Sequence, residues 1–140
     1  MKALLINGSP HEHGCTYTAL RELADTLEAE GIETEIIQAG KTAHACNACA
    51  SCKKTHRCVY DDLVNETAPK LAAADALVIG SPVYYASPAG GAISFMDRLF
   101  FSTPHIDKTM KVGASVVSCR RGGNTATFDV LNKYLSLIHI

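Results

Sequence analysis

The chain has 140 residues, enough for one domain but not for separate cofactor and substrate domains. Its 13 lysines and arginines against 14 aspartates and glutamates give a net charge of −1. That balance gives no electrostatic reason to expect nucleic acid or an anionic membrane as a partner. With 47% hydrophobic and 19% charged residues, the chain can bury a core and is not of the disordered class.

The first residues bear on the compartment. Only four apolar residues lie between Lys2 and Asn7, too few for a signal peptide or a membrane-spanning helix. We therefore expect a cytoplasmic protein with reduced thiols. Under those conditions clustered cysteines more often hold metal or carry out redox chemistry than form disulfides.

Four predicted strands alternate with predicted helices along the chain. The strands are apolar runs bounded by turn residues, at positions 3–6, 34–38, 76–80 and 112–118. The first helix runs from Thr16 to a C-terminal Gly31, and the second begins at Asp61 and Asp62. The apolar positions of these two helices are Ala19, Leu20, Leu23, Ala24 and Leu27, then Leu63, Val64, Leu71 and Ala74.

Prolines mark two of the predicted helices. Pro69 lies inside the second helix and weakens that prediction, because an interior proline kinks or splits a helix. Ser87 and Pro88 are predicted as the N-cap and first residue of the third helix, and the fourth helix follows Gly123. The apolar positions of these last two helices are Ala89, Ala92, Ile93, Met96, Leu99 and Phe100, then Phe128, Leu131, Leu135 and Ile138.

A strand–helix unit repeated four times predicts an α/β fold with a parallel, doubly wound sheet between two helix layers. We expect residues 1–140 to form a single flavodoxin-like domain with a cysteine-rich insertion loop at 40–60. That arrangement usually has five strands, and the chain ends in an apolar tail, 135–140, without a helix cap. The sequence therefore predicts that the last strand–helix unit is missing.

The loop after the first strand has the chemistry of a phosphate site. Ser9, Thr16 and Thr18 offer hydroxyls around Gly14, and backbone N–H groups at a helix N-terminus favour a phosphate monoester. The alternative is that these hydroxyls only cap the turn and the helix. The loop is neither a Walker A loop nor a Gly-x-Gly-x-x-Gly dinucleotide fingerprint.

Two further loops follow strands at the same predicted edge of the sheet. The segment from Pro82 through Val83 and Tyr84 to Tyr85 offers surface for a flat heterocycle, although adjacent tyrosines often just pack on a helix. The loop after the fourth strand combines two arginines with two glycines, at 120–123, or is a solvated turn. Ligands bind at this edge of doubly wound sheets, so the coincidence of three such loops predicts a ligand site.

Four cysteines share one loop, at positions 46, 49, 52 and 58. Two successive two-residue gaps are typical of [4Fe–4S] ligation, whereas structural zinc sites usually have two separated cysteine pairs. Free thiols and zinc stay open as alternatives. Cys15 and Cys119 are interpreted as small packing residues, and the loop histidines as solvated rather than metal-binding.

The residues resemble a known family. Leu5–Pro10 with Gly14 and Thr16, then Asp75–Tyr85, then Asp97-Arg98 are similar to the NAD(P)H-dependent FMN reductases of the flavodoxin-like superfamily. The cysteine run followed by Asp61-Asp62 is similar to the iron–sulfur flavoproteins among them. The resemblance implies FMN held by Ser9, Pro10, Gly14, Thr16, Thr18, Ser81, Pro82, Val83, Tyr84, Tyr85, Arg120, Arg121, Gly122 and Gly123, and a [4Fe–4S] cluster on Cys46, Cys49, Cys52 and Cys58.

The main hypothesis is a flavin-dependent oxidoreductase that takes electrons from NAD(P)H or a ferredoxin-type carrier and uses a [4Fe–4S] cluster. The first alternative is a cluster-free NAD(P)H-dependent FMN or quinone reductase. The second is a non-catalytic zinc- or flavin-binding module. By analogy with the family we expect a homo-oligomer and a small-molecule acceptor, and we expect Asp97-Arg98 to orient its helix through an ion pair.

Overall fold

The structure, a computed structural model, describes residues 1–42 and 44–137, and the alternation of strands and helices is confirmed. The strands are β1 (Lys2–Asn7), β2 (Glu33–Gln38), β3 (Ala76–Tyr84), β4 (Ser87–Pro88) and β5 (Val112–Ser118). The helices are α1 (Cys15–Ala29), α2 (Cys52–Thr55), α3 (Leu63–Ala73), α4 (Gly90–Ser102) and α5 (Asn124–Leu137).

The sheet has five strands, and its four long strands lie in the order β2-β1-β3-β5. All three pairings among these four are parallel, with Leu5 of β1 opposite Ile36 on one side and Val78 on the other. The two-residue β4 pairs antiparallel to the end of β3. This order is that of a flavodoxin-like doubly wound sheet, as predicted.

Alternate residues of the central strands point to two separate cores, as the two-residue period of a strand requires. On one face Leu5 of β1 and Val78 of β3 pack against Leu20 and Ala24 of α1. The other face carries the larger core, which α3, α4 and α5 cover. Its large, fully buried members are Leu4, Ile6, Val64, Leu71, Leu77, Ile79, Phe95, Met96, Leu99 and Leu131.

The prediction that Ser87 and Pro88 open a helix is wrong. They form β4, which pairs with Val83 and Tyr84, and the helix begins two residues later at Gly90. Tyr85 and Ala86 join the two strands with φ of +51° and +58°. A two-residue turn with both φ positive is the tight type that closes β-hairpins. Residues 83–88 therefore form a hairpin at the carboxyl end of β3.

Helix α3 contains Pro69 in its interior and is not interrupted by it. Asp62 caps it as predicted, accepting a hydrogen bond from the Val64 N–H at 3.1 Å. The helix continues through Pro69 to Ala73, because Val64 and Leu71 on either side of the proline are fully buried in the large core. That burial offsets the one backbone hydrogen bond that proline removes.

Some predicted apolar positions do not face the core. Phe128 of α5 is exposed, and Thr127 beside it is buried instead. On α1, Ala19 is exposed, and on α4 the buried set includes Phe95 and Arg98 rather than Ile93. Ile138 lies outside the described residues, as does the rest of the predicted apolar tail after position 137.

Strand β5 forms one edge of the sheet among the residues described, and its first three residues, Val112–Ala114, are exposed. No further parallel strand occurs within 1–42 and 44–137. Over the same ranges, no helix has the length and apolar character needed to cross a membrane.

Candidate functional site

The loops predicted to share one edge of the sheet do meet there. The Gly8 N–H donates to the Gly80 carbonyl at 2.8 Å, which holds the loop after β1 against β3. The hydroxyls of Thr16, on α1, and Ser118, at the end of β5, lie 2.8 Å apart. Gly40, just after β2, packs directly on the backbone of Ser9, with no room for a side chain. The carboxyl ends of four strands are therefore joined at one place.

The loop from Ser9 to Thr18 leads into an uncapped helix. Gly14 is the N-cap of α1 and no side chain caps the first turn, so the N–H groups of residues 15–17 precede the first helical bond. Ser9 and Thr16 are buried, whereas Thr18 is exposed and donates its hydroxyl to the Gly14 carbonyl at 3.3 Å. This N-terminus has the geometry of an anion site.

Two amide side chains, one buried and one partly buried, shape that loop, and the sequence patterns did not identify them. Asn7 accepts the Ser9 N–H at 3.2 Å and donates to Gln38 on β2 at 2.5 Å. Gln38 in turn donates to the Ser9 carbonyl at 2.6 Å. Each is the last residue of its strand, and in a sequence a polar residue at that position indicates only the start of a turn. Pro10 follows Ser9 and is partly buried.

The hairpin and the loop after β5 form a second part of the edge. Val83 and Tyr85 line one shallow cavity together with Arg120, Arg121 and Gly122. Tyr84 is nearly half exposed, and the Tyr85 side chain is fully exposed. The structure thus places aromatic surface and two cationic side chains beside each other, the combination expected around a flat, anionic ligand.

Two predicted members of this group have structural contacts. Gly123 has a φ of +87°, and a Cβ there would lie 2.7 Å from Ala86 Cα, so the loop packs directly on the hairpin. Ser81 is fully buried, and its hydroxyl accepts the Ala89 N–H at 3.0 Å. Ser81 therefore ties β3 to the start of α4 from inside the protein, while Pro82 after it is only partly buried.

All four clustered cysteines line one mostly apolar cavity of about 180 Å³ at the other end of α4. The cavity also contacts Tyr60, Arg98 and Phe101. None of the four thiols is in a disulfide, so the donor set is that of a four-thiolate site. Among the described residues, however, no three metal-binding side chains are already close enough together to hold a metal ion. The chemistry and the shared cavity fit a cluster, but the sulfurs have not converged.

The cysteines differ in how firmly they are held. Cys46 and Cys49 are exposed, and the Ser51 N–H lowers the pKa of the Cys49 thiol below its ordinary value. Cys52 donates its S–H to the Phe101 carbonyl at 3.3 Å. The sequence predicts a loop throughout 40–60, but Cys52–Thr55 within it form the short helix α2.

An ion pair joins the N-cap of α3, which follows the cysteine loop, to α4. Arg98 is 1% exposed and binds both carboxylate oxygens of Asp62 at 2.8 Å. Burial opposes ionisation of Asp62, but hydrogen bonds from Arg98 and the Val64 N–H outweigh it and hold the pKa of this carboxyl below its ordinary value. Of the predicted Asp97-Arg98 pair, Arg98 therefore forms an ion pair, and its partner is Asp62. Asp97 instead accepts a hydrogen bond from Tyr134 at 2.6 Å.

Cys15 and Cys119 do not join the cysteine cavity. Cys15 is the first residue of α1, and Cys119 lies at the rim of the cavity near Tyr85. Both are exposed, so the prediction that they are packing residues is wrong. Over the described ranges none of the histidines belongs to a candidate metal site.

A parallel sheet in the order 2-1-3-5, with an uncapped helix and an aromatic hairpin at its carboxyl edge, defines a flavodoxin-like α/β protein. The family model described as NADPH-dependent FMN reductase matches residues 1–139. The chain belongs to that family, which consists of flavin-dependent oxidoreductases.

Among curated proteins, the chain is similar to iron-sulfur flavoproteins. It is 34% identical over 142 residues to one from Methanocaldococcus jannaschii, covering 99% of this chain and 73% of that protein. It is 26% identical over 141 residues to one from Methanosarcina thermophila, covering 98% and 74%. One from Archaeoglobus fulgidus is 30% identical over 118 residues, where the match spans 84% of this chain and 54% of the relative.

Solved structures support the fold. The flavoenzyme NAD(P)H:(acceptor) oxidoreductase FerB of Paracoccus denitrificans superposes with a TM-score of 0.75 at 15% identity, over 99% of this chain and 72% of FerB. RosB with a bound riboflavin-phosphate intermediate gives 0.73 at 18% identity, over 99% of this chain and 60% of RosB. A flavodoxin from an archaeon gives 0.67 at 18% identity, over 100% and 76%.

Proposed function

We propose that this protein binds FMN and a [4Fe–4S] cluster and transfers electrons from NAD(P)H, or from a ferredoxin-type carrier, to a small-molecule acceptor. The observation that carries the proposal is the single cavity shared by all four clustered cysteines in a chain of the FMN reductase family. The names of the relatives support it. The reducing conditions of the cytoplasm would keep these thiols available.

The FMN phosphate is assigned to the loop between Ser9 and Thr18. The N–H groups that open α1 lie together there, and the positive end of the helix dipole favours a phosphate. Of the hydroxyls predicted to help, those of Ser9 and Thr16 already have protein partners, and Thr18 bonds back to Gly14. Backbone amides therefore supply most of the binding, and Gly14 allows close approach.

The isoalloxazine ring is assigned to the surface between the hairpin and the loop after β5. Val83, Tyr84 and Tyr85 offer apolar and aromatic contacts, and Arg120 and Arg121 are exposed across from them. A positive charge near a flavin favours its reduced, anionic form. Bound FMN would accept a hydride from NAD(P)H and release electrons singly. The residues on this edge would bind and orient both flavin and nicotinamide, and no general base is needed.

Cys46, Cys49, Cys52 and Cys58 are assigned as ligands of the cluster. Their cavity lies at the far end of α4 from the hairpin, so one helix connects the two proposed sites. The loop must close around the cluster, because its sulfurs do not yet converge. Metal binding coupled to ordering of a cysteine loop is usual for thiolate sites.

Two alternatives stay open. In the first, the protein is a cluster-free NAD(P)H-dependent FMN or quinone reductase. The exposure of Cys46 and Cys49 favours this alternative, because both would then be free surface thiols. In the second, it is a zinc- or flavin-binding module without catalysis. Formation of a homo-oligomer stays a prediction under all three.

Chemical analysis of anaerobically purified and reconstituted protein separates these functions. We expect four irons with matching labile sulfide and one FMN per chain. Cys49→Ala should lose iron and keep FMN, while the matched variant Cys15→Ala, which lies outside the cysteine cavity, should keep its iron. Flavin without iron would support the reductase alternative, and zinc without flavin would contradict both oxidoreductase functions.

A further inference from the structure

Arg98 has more partners than an ordinary ion pair provides. The residue is 1% exposed, and a guanidinium carries five N–H donors in a fixed plane. Its Nη1 and Nη2 bind the two oxygens of Asp62 and also reach the backbone carbonyls of His44 and Tyr60, at 3.4 and 3.3 Å. The guanidinium also lies 4.9 Å from the centre of the Tyr60 ring. Four of the five donors are thus used in binding the cysteine loop and the N-cap of α3 to α4.

The fifth donor is aimed at a sulfur. Arg98 Nε donates to Cys58 Sγ at 3.2 Å. Asp62 already balances the charge of Arg98 through two short hydrogen bonds, so this contact is not needed to stabilise a buried cation. Because the guanidinium plane is fixed by Asp62, the direction of the Nε–H bond is fixed as well.

Cys58 itself is held in place by a second residue. Asn65 accepts the Cys58 N–H at 2.9 Å and donates to the Cys58 carbonyl at 3.1 Å. The Cys58 sulfur accepts a hydrogen bond, whereas Cys52 donates its own to a carbonyl. Cys46 and Cys49 are exposed. Cys58 therefore has both its backbone and its sulfur fixed by side chains, those of Asn65 and Arg98, whereas the contacts of Cys52 are to backbone groups.

We propose that Arg98 is a positioning residue that fixes the Cys58 sulfur as a preformed ligand of the iron–sulfur cluster and raises the reduction potential of that cluster through its N–H···S hydrogen bond. The inference rests on the cluster proposed above. A cluster carries one more negative charge after it accepts an electron, and a donor pointing at a ligand sulfur stabilises that charge. Hydrogen bonds to the sulfurs are among the features that set the potentials of such clusters.

The test compares midpoint potentials of reconstituted protein, measured by redox titration. Asp62→Asn removes the carboxylate but keeps the Nε donor, so its potential should not fall below that of the wild type. Adding Arg98→Met to that variant removes the donor and its charge without leaving an unpaired aspartate. The double variant should titrate at a more negative potential than Asp62→Asn, at equal iron and sulfide content.

Equal potentials for Asp62→Asn and the double variant would overturn the role of Arg98 and leave the cluster intact. Failure of the wild-type protein to take up iron and sulfide would refute both proposals. If circular dichroism shows that the double variant does not fold, Arg98→Lys decides, because it keeps a charge but cannot supply the same directed donor. Wild-type protein should show an iron–sulfur vibration that shifts in D₂O, and Arg98→Lys should lose that shift, whereas an unchanged shift would overturn the proposal.

Discussion

Gly123 is the residue through which the loop after β5 touches the hairpin, so it offers a direct test of the proposed flavin site. A Cβ added there would lie 2.7 Å from Ala86 Cα and 3.0 Å from Ala86 Cβ. Since carbon atoms pack at about 3.5–4.0 Å, the two segments would have to separate by about 1 Å. The φ of +87° adds strain on the order of 1–2 kcal/mol for any residue with a side chain.

We expect Gly123→Ala to weaken FMN binding at least tenfold. The strain and the close contact together reach the ~1.4 kcal/mol that a tenfold change in affinity requires. Titration of apo-protein with FMN, followed by quenching of flavin fluorescence, measures the affinity. Gly31→Ala is the matched control, because Gly31 also has a positive φ, of +76°, but lies outside the flavin loops and a Cβ there meets no atom within 4 Å. Equal affinities for the two variants would refute the assignment of this loop to the flavin.

Three further predictions concern the anion site, the start of α4 and the ion pair at the cysteine loop. Thr16→Asp should weaken FMN binding, because it places a negative charge at the proposed phosphate site. The control Thr16→Ser keeps the hydroxyl that contacts Ser118 and should bind FMN normally. Unchanged FMN affinity of the aspartate variant in the same titration would exclude the phosphate assignment. Gly91→Ala should lower the free energy of unfolding in urea, because its Cβ would collide with the Gly40 carbonyl. Gly90→Ala has open space around its Cβ and should raise that free energy by up to about 1 kcal/mol. Changes of the same sign in both variants would contradict this packing. The pKa of Asp62 is held below its ordinary 3.8, so the ion pair stabilises the fold fully above about pH 4 and less as the pH falls through the lowered pKa. Asp62→Asn should therefore lose less stability in acid than the wild-type protein does. Parallel pH profiles of unfolding free energy for the two proteins would contradict this role of the ion pair.

The strand–helix alternation could be predicted because each buried strand is a short apolar run and each helix carries its own period. The hairpin at 83–88 could not, because Ser87 and Pro88 have the residue types of a helix start. Their pairing with Val83 and Tyr84 depends on a turn with two positive φ values at Tyr85 and Ala86, residues that rarely adopt them. Contact with Gly123, distant in sequence, accompanies that turn.

The candidate site was predictable where chemistry is local and not where it depends on long-range contacts. Cysteine spacing marked the four thiols that share a cavity, and the glycine-rich loop marked the start of α1. Arg98 was recognised as one half of an ion pair, but its carboxylate partner is 36 residues away and its sulfur partner 40 residues away. Asn7 and Gln38 were missed for the same reason, since their hydrogen bond joins neighbouring strands 31 residues apart in sequence.

Helix α4 has a consequence for electron transfer. It begins at Gly90, directly after the aromatic hairpin, and presents Arg98 to the cysteine cavity two turns further on. At 1.5 Å per residue, the axial separation between these two residues is roughly 12 Å, and a rigid helix allows little variation in it. The separation of the hairpin from the cysteine cavity along α4 is therefore set by a count of helical turns. Inserting one turn would lengthen it by about 5.4 Å, and under the proposed function this would slow electron exchange between the flavin and the cluster.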